Sequence, residues 1–292
     1  MIMNTNLSIR IVSCGSMMLI ACASASAQIV SYNFNQTGTS VTNSGTSTEA
    51  LTLANYSGAA TDLHSGDALG VSGRPGDRAF DNSSATGMGN IGTGGYGKTT
   101  SAISADLGAL KSFTIQGWYK TDGSVIGAGA QLVNYKNGSS GFLVNASNTG
   151  NLSLEVNGVG AYGSGTAYNA VSEWTFFAVT YDGTKTTNNV KFYVGSTSST
   201  VALAYTLTLN GGTMVLPGGT TSLGIGNNYG TPNRPFDGWI DDVKIYGSTT
   251  DATGVLSLTE LESIRSLDVV PEPASAALVI GALSLLAVFK RR

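Results

Sequence analysis

Four dipeptides, Asp122-Gly123, Asn137-Gly138, Asn157-Gly158 and Asp182-Gly183, punctuate the middle of this 292-residue chain. Asn-Gly and Asp-Gly favour the positive φ angles that a two-residue turn needs to match the twist of antiparallel strands. The segments between them have strand character. They are the run Phe113-Thr114-Ile115-Gln116-Gly117-Trp118-Tyr119, then Leu132-Val133-Asn134-Tyr135, residues 141–145, and the cleanly alternating Leu152-Ser153-Leu154-Glu155-Val156. Residues 174–181 are apolar or aromatic on both faces, which predicts a central strand of a packed sheet. Val190-Lys191-Phe192-Tyr193-Val194 is its natural neighbour. Val201, Leu203, Tyr205, Leu207 and Leu209 alternate and are expected to share one face. Leu223-Gly224-Ile225 and residues 239–246 supply the last strands. Ile240 and Val243 are three apart, so both face inward only if Asp241-Asp242 forms a bulge.

The first part of the chain is less regular. Residues 29–34 read as a strand with Val30, Tyr32 and Phe34 on one side, and Leu51-Thr52-Leu53 as another. The glycines and proline from Gly70 to Asp77 mark turns leading into a strand at Ala79-Phe80. Near the far end, Ser257-Leu258-Thr259-Glu260 is a capping box, and Leu256 with Leu261 fits a hydrophobic staple, so a short helix is expected over residues 258–266. The fold class is all-β, a two-sheet antiparallel β-sandwich with a short C-terminal helix.

The two ends read as sorting signals. Arg10, the apolar run 11–23 and Ala25-Ser26-Ala27 form a secretory signal peptide with cleavage expected after Ala27. Leu19-Ile20-Ala21-Cys22 also resembles a lipobox, so lipidation at Cys22 stays open as the alternative. Residues 274–289 are uncharged and end in Lys290-Arg291-Arg292. As a helix they would span roughly 24 Å at about 1.5 Å per residue. A basic cluster beside such a span stays on the cytoplasmic side, which puts the globular part outside. Pro271-Glu272-Pro273 just before it continues neither helix nor ladder. This order of parts resembles the PEP-CTERM sorting signal of Gram-negative bacteria. The resemblance implies that Pro271, Glu272, Pro273, Arg291 and Arg292 are recognised by an exosortase-type membrane transpeptidase. It also implies an inner-membrane-anchored precursor that passes to the cell surface or extracellular matrix. The expected domains are 1–27, 28–268 and 269–292.

Composition narrows the function. Both cysteines, Cys14 and Cys22, lie in the leader, so residues 28–270 offer no disulfide, thiolate nucleophile or Cys-based metal site. That segment carries eleven Lys or Arg and seventeen Asp or Glu, a net charge of −6. Nucleic acid, which calls for a basic stripe, is not the expected partner.

The strand motifs resemble the LamG-like, concanavalin A-like jellyroll. Ser112 to Trp118 is similar to an opening strand of that family. Glu173-Trp174-Thr175-Phe176-Phe177-Ala178-Val179-Thr180-Tyr181-Asp182-Gly183 and Val190 to Gly195 are similar to its W-x-x-x-A-V-T-Y-D-G strand and the strand after it. Phe236-Asp237-Gly238-Trp239-Ile240-Asp241-Asp242-Val243-Lys244-Ile245-Tyr246 resembles its closing strand. The resemblance covers most of residues 28–265 and is thin before Leu51.

Chemistry is sparse. Glycoside cleavage needs two carboxylates set across the scissile bond, and no strand carries a same-face pattern of them. Glu155 is the only Glu inside a confident mid-domain strand, and Glu173 sits at the edge of another. His64, the only histidine, lies in a polar stretch and reads as a surface residue. The Gly-x-Gly-x-x-Gly at residues 92–97 has no helix after it and reads as a loop. Calcium is the one cofactor left open, with Asp77, Asp81, Asp241 and Asp242 as candidate ligands. Asn227, Asn228 and Tyr229 have sugar-binding chemistry on a loop. The expectation is an exported non-catalytic domain that binds extracellular polysaccharide or another glycan. The alternatives are a ligand-free structural matrix protein and a glycan-active hydrolase.

Overall fold

The computed structural model describes residues 26–85, 93–122, 129–146, 151–163 and 173–269. The residues before Ser26, including Ala25 and Cys22 of the expected leader, lie outside them, as do Pro271, Glu272, Pro273, Arg291, Arg292 and the apolar span 274–289. Among the described residues no helix is long and apolar enough to cross a membrane.

In chain order the elements are β1 (Ala27–Tyr32), β2 (Ser40–Val41), β3 (Leu51–Asn55), β4 (Phe80–Asp81), β5 (Gly95–Thr99), α1 (Ser104–Leu107), β6 (Ser112–Thr121), β7 (Ala130–Asn137), β8 (Ser140–Ala146), β9 (Leu152–Val156), β10 (Val159–Tyr162), β11 (Thr175–Asp182), β12 (Val190–Ser196), β13 (Ala202–Leu207), β14 (Gly224–Ile225), β15 (Gly238–Ser248) and α2 (Leu258–Val269). They form a sandwich of two antiparallel sheets. A seven-stranded sheet runs β1-β15-β6-β11-β12-β13, with β4 added to β15. An eight-stranded sheet runs β10-β9-β8-β7-β14-β5-β3-β2.

Period-two alternation builds the core between them. Ile115, Tyr119, Phe177, Val179, Phe192 and Ile245 from the first sheet meet Leu132, Tyr135, Phe142, Val144 and Leu154 from the second, all buried. Each fully buried side chain of this size contributes about 1.5–3 kcal/mol. β11 is buried along its whole length and sits between β6 and β12, the central place its two apolar faces demand. Its second face, with Trp118, Phe176, Ala178, Tyr193 and Tyr246, makes a separate cluster covered by Leu256 and Leu261. So α2 lies on the outside of the seven-stranded sheet. The capping box that starts it is formed: Ser257 N–H and Oγ–H each donate to Glu260 Oε2 at 2.7 Å, and Glu260 N–H donates to Ser257 Oγ at 3.3 Å.

The turns follow the residue chemistry. Asn157 and Gly158 have φ of 53° and 77°. Both central positions are positive, and the two-residue turn joins β9 to β10, a strand the sequence did not disclose. At the next signal upstream the turn is one residue later than Asn137-Gly138 implies. Asn137 pairs with Ser140, and Gly138 takes the first central position with φ 59°. The bulge at Asp241-Asp242 is present. The β15–β6 register shifts between Asp241 and Lys244, Asp242 adopts φ 47°, and Ile240 and Val243 are both buried in the core.

Three expectations are corrected. Val201 to Leu209 do not share a face, because the β12–β13 register shifts between Phe192 and Tyr193. Val201 joins the cluster under α2, Leu203 is exposed, and Leu209 enters the central core. Residues 95–97 of the glycine-rich stretch are not loop but the start of β5, inside the eight-stranded sheet. His64 is not a surface side chain. Its ring is 2% exposed, with Nδ1 2.8 Å from Asp62 Oδ1.

Candidate functional site

The outer face of the eight-stranded sheet carries a groove of about 690 Å³. Residues alternate with the core positions to line it: Gln131, Asn134 and Lys136 from β7, Leu143 and Asn145 from β8, Ser153 and Glu155 from β9. Asn228 and Arg234 enter from the connection between β14 and β15, and Tyr162 of β10 stands at the rim, 72% exposed.

Most of the floor is held by mutual bonds. Lys136 and Glu155 form an ion pair across β8. Asn134 Nδ2 donates to Gln131 Oε1 at 2.8 Å, and Asn145 Nδ2 donates to Ser153 Oγ at 3.3 Å. The amide oxygens on the other side of these two groups, Asn134 Oδ1 and Asn145 Oδ1, are buried and accept no hydrogen bond. A buried acceptor without a donor is costly, and these two oxygens lie beneath the surface of the floor. Among the described lining residues Glu155 is the single carboxylate, and Lys136 is bound to it. Glu173 does not line the groove; it lies exposed just before β11.

The three loop residues singled out from the sequence separate. Asn228 lines the groove, its Oδ1 accepting the N–H of Gly230 at 3.1 Å. Asn227 is fully buried and cannot reach a ligand, since its Oδ1 accepts the N–H groups of Asn228 at 2.8 Å and Arg234 at 3.0 Å and so shapes the loop. Tyr229 is half-buried. Its hydroxyl accepts the N–H of Ser222 at 3.0 Å, Lys98 Nζ stands 5.7 Å from the ring centre, and burial raises its pKa. The ring rests on Gly224, where a Cβ would come within 2.8 Å of Tyr229 Cδ1.

Tryptophan is used on the opposite face. Trp118 is fully buried with Nε1–H donating to Asp268 Oδ2 at 2.9 Å. Trp174 and Trp239 flank the Lys120 ammonium at 5.1 and 4.7 Å from their ring centres. This cation–π arrangement accounts for both rings, leaving Tyr162 as the open aromatic surface beside the groove.

The four aspartates considered for calcium have structural partners. Asp81 Oδ1 accepts from Ser83 N–H and Oγ–H, closing a turn. Asp77 Oδ2 accepts the N–H groups of Ser72 and Gly73 and organises the loop above it. Asp241 is fully buried and accepts the N–H groups of Val71 at 3.0 Å and Asp242 at 2.8 Å. Asp242 lies 3.7 Å from Lys244 Nζ, which binds Asp268 at 2.6 Å. Burial pushes both Asp241 and Asp242 up from the ordinary carboxylate range. Among the described residues no three His, Cys, Asp or Glu side chains gather as a metal-binding group.

One carboxylate that the sequence did not flag differs from these. Asp237, immediately before β15, is fully buried. Burial, and then the charge of Asp122 and a side-chain hydrogen bond with it, push its pKa up to about 7.

The sequence profile of the concanavalin A-like lectin/glucanases superfamily, in its Laminin_G_3 form, matches residues 92–255. The chain belongs to this superfamily. Domain 4 of an extracellular arabinanase from Geobacillus stearothermophilus, in complex with arabinotriose, aligns with a TM-score of 0.53 at 15% identity, covering 82% of this chain and 99% of that one. The binding domain of botulinum neurotoxin DC in complex with SialylT gives 0.54 at 13% identity, covering 83% of this chain and 52% of that one. At these identities the likeness is one of fold. No curated protein matches the sequence.

Proposed function

We propose that this is an exported, non-catalytic concanavalin A-like domain that binds carbohydrate in the groove on its eight-stranded sheet. The observation that carries the reading is a groove of about 690 Å³ lined by amide, hydroxyl and charged side chains, among them Gln131, Asn145, Ser153 and Asn228, beside an exposed Tyr162. Polar side chains of this kind exchange hydrogen bonds with sugar hydroxyls, and an aromatic ring supplies the apolar surface on which a pyranose or furanose face lies. The arabinotriose complex of the arabinanase domain is consistent with this ligand class. A lone carboxylate tied to a lysine does not provide the acid and base that glycoside hydrolysis requires.

Sorting completes the reading. The leader ends near Ala27, which opens β1 and pairs with Gly247, so cleavage there leaves the rest of the strand in place. Pro271-Glu272-Pro273, the apolar span and the terminal arginines act as a PEP-CTERM signal for an exosortase-type transpeptidase. The protein is then held at the inner membrane and released to the surface or extracellular matrix.

A glycan array on the purified protein, followed by calorimetry on the best ligand, tests the binding. Asn145→Ala and Tyr162→Ala are each expected to weaken it about tenfold, the equivalent of one lost hydrogen bond or stacking contact. No binding to any glycan assigns the domain to a structural matrix role instead. Release of reducing sugar that vanishes in Glu155→Gln would make it a hydrolase. Mass spectrometry of the native C-terminus tests the sorting, and an intact Arg292 at the cell surface contradicts processing.

A further inference from the structure

Apolar side chains stay exposed around α2. Leu258 and Leu267 on the helix line a shallow depression of about 740 Å³ together with Val201. Leu203, two residues after Val201, is exposed on the same side, because it pairs with Tyr193 of the cluster under the helix. A second depression, of about 570 Å³, lies where α2 ends. Leu69 is exposed in it, and Trp174, Lys120 and Val269 line it. Lys120 stands in a cross-strand row. It pairs with Trp239 of β15, and Trp174 precedes β11, whose Thr175 pairs with Tyr119. The two indoles flank the ammonium, which forms no ion pair among the described residues. Full burial of a leucine side chain contributes about 1.5–3 kcal/mol, and an exposed one forgoes part of that. Exposed apolar side chains gathered on one face mark a surface that meets a partner.

We propose that this face docks on a phospholipid bilayer, the exposed leucines entering the boundary between headgroups and acyl chains and the Lys120 ammonium meeting lipid phosphate. The place where the chain leaves the domain selects this partner. Val269 lines the second depression, and the uncharged run 274–289 begins after four more residues, which reach at most about 14 Å. On the sorting reading, on which the proposal rests, that run enters the membrane, so lipid comes within reach of the leucines. Trp and Lys are side chains that settle at a membrane–water interface, the indole by its amphipathic ring and Lys by an apolar stem that carries its charge up to the phosphates. The net charge of −6 on residues 28–270 gives no long-range attraction to an anionic leaflet. Docking is therefore a short-range contact, made effective by a tether that holds the face at high local concentration. Leucine offers a saccharide nothing to hydrogen-bond, which separates this face from the groove on the other sheet.

The test reconstitutes the purified full chain into phosphatidylcholine vesicles, with and without bromine on the upper part of one acyl chain, and reads flotation and tryptophan fluorescence. The wild type is expected to float with the vesicles and to lose fluorescence on the brominated lipid, which quenches at close range only. The double variant Leu69→Ser with Leu267→Ser changes two exposed positions outside the core. It is expected to float equally and to recover the fluorescence. Val215→Ser, exposed where its carbonyl accepts the Gly141 N–H beside the eight-stranded sheet, is expected to be quenched like the wild type. A wild type that floats without being quenched, or quenching that persists unchanged in the double variant, overturns the docking and leaves the anchoring intact. A second copy of the chain covering these leucines would give the first of those results. A chain that does not float contradicts the anchoring, and the docking falls with it.

Discussion

Asp241 and Asp242 are neighbours in sequence and end up with different tasks. The bulge turns Asp241 toward the loop at Val71, where two N–H groups hold it, and puts Asp242 in the left-handed region with φ 47°. Asp and Asn visit that region more readily than other residues with a Cβ. Burial raises the Asp242 pKa to about 7, opposed by Lys244 and reinforced by Asp268 and Asp77. A carboxylate whose folded pKa is raised binds its proton more tightly folded than unfolded. Its contribution to stability therefore falls as pH rises from about 4 to about 7. Asp242→Asn keeps the backbone geometry and removes that titration, while Lys244 retains Asp268 at 2.6 Å. The variant is expected to have a higher urea midpoint than the parent at pH 8 and no such advantage at pH 4. An unchanged difference across that range contradicts it. The bulge itself was legible, because Ile240 and Val243 are apolar three residues apart and only an inserted residue puts both inside. The pairing of Asp237 with Asp122 was not, because it depends on the register of strands far apart in the chain. The groove residues Asn134 and Asn145 were equally hidden, since an outward polar residue on a strand looks the same whether it meets water or a ligand.

At the level of elements, α2 shows how a local signal and a long-range one combine. The capping box at Ser257 and Glu260 was visible in four residues. What fixes the helix to the sheet was not. Arg265 donates from Nη1 to the Ser196 carbonyl at 2.9 Å and grips Glu262 through Nε and Nη2 at 2.9 and 2.7 Å. Glu262 Oε2 also accepts the Val201 N–H at 2.7 Å, so the pair ties α2 to the β12–β13 connection. The hydrogen bonds from Arg265 depress the Glu262 pKa to about 2, against the cost of its partial burial. A depressed carboxylate stabilises the fold above its unfolded pKa, near 4.3, and loses that contribution as pH falls toward 2. Arg265→Met keeps the apolar stem and removes the grip, leaving the Ser196 carbonyl without its donor. It is expected to cost about 1–3 kcal/mol at pH 7, measured by urea unfolding, and the deficit should shrink below pH 4. Ser257→Ala, which removes only the cap, is expected to cost about 1 kcal/mol. A deficit for Arg265→Met that is the same at pH 3 and pH 7 would show that the Glu262 pair is not what the variant loses.

Across the whole molecule, the two sheets present different outer faces. The groove lies on the outer face of the eight-stranded sheet, and α2 with the end of the described chain at Val269 lies on the outer face of the seven-stranded one. Val269 packs against the cluster under the helix. Four residues separate it from Ala274, where the apolar span begins, and even fully extended they reach at most about 14 Å. If that span enters a bilayer, as the sorting reading holds, the domain is drawn down onto the lipid by its α2 side and the groove points away from it. The absence of cysteine from residues 26–269 makes this measurable. In a chain whose Cys14 and Cys22 are removed with the leader, single cysteines are placed at Leu267, 75% exposed on α2, and at Tyr162, 72% exposed at the groove rim. Labelling rates with a bulky maleimide are compared between detergent-free vesicles carrying the tailed chain and the same domain without its tail. Leu267→Cys is expected to react several-fold more slowly on the vesicle, and Tyr162→Cys at an unchanged rate. Equal shielding of both positions would mean that the domain lies on the membrane by its groove, and a groove pressed against lipid cannot serve the extracellular polysaccharide to which we assign it.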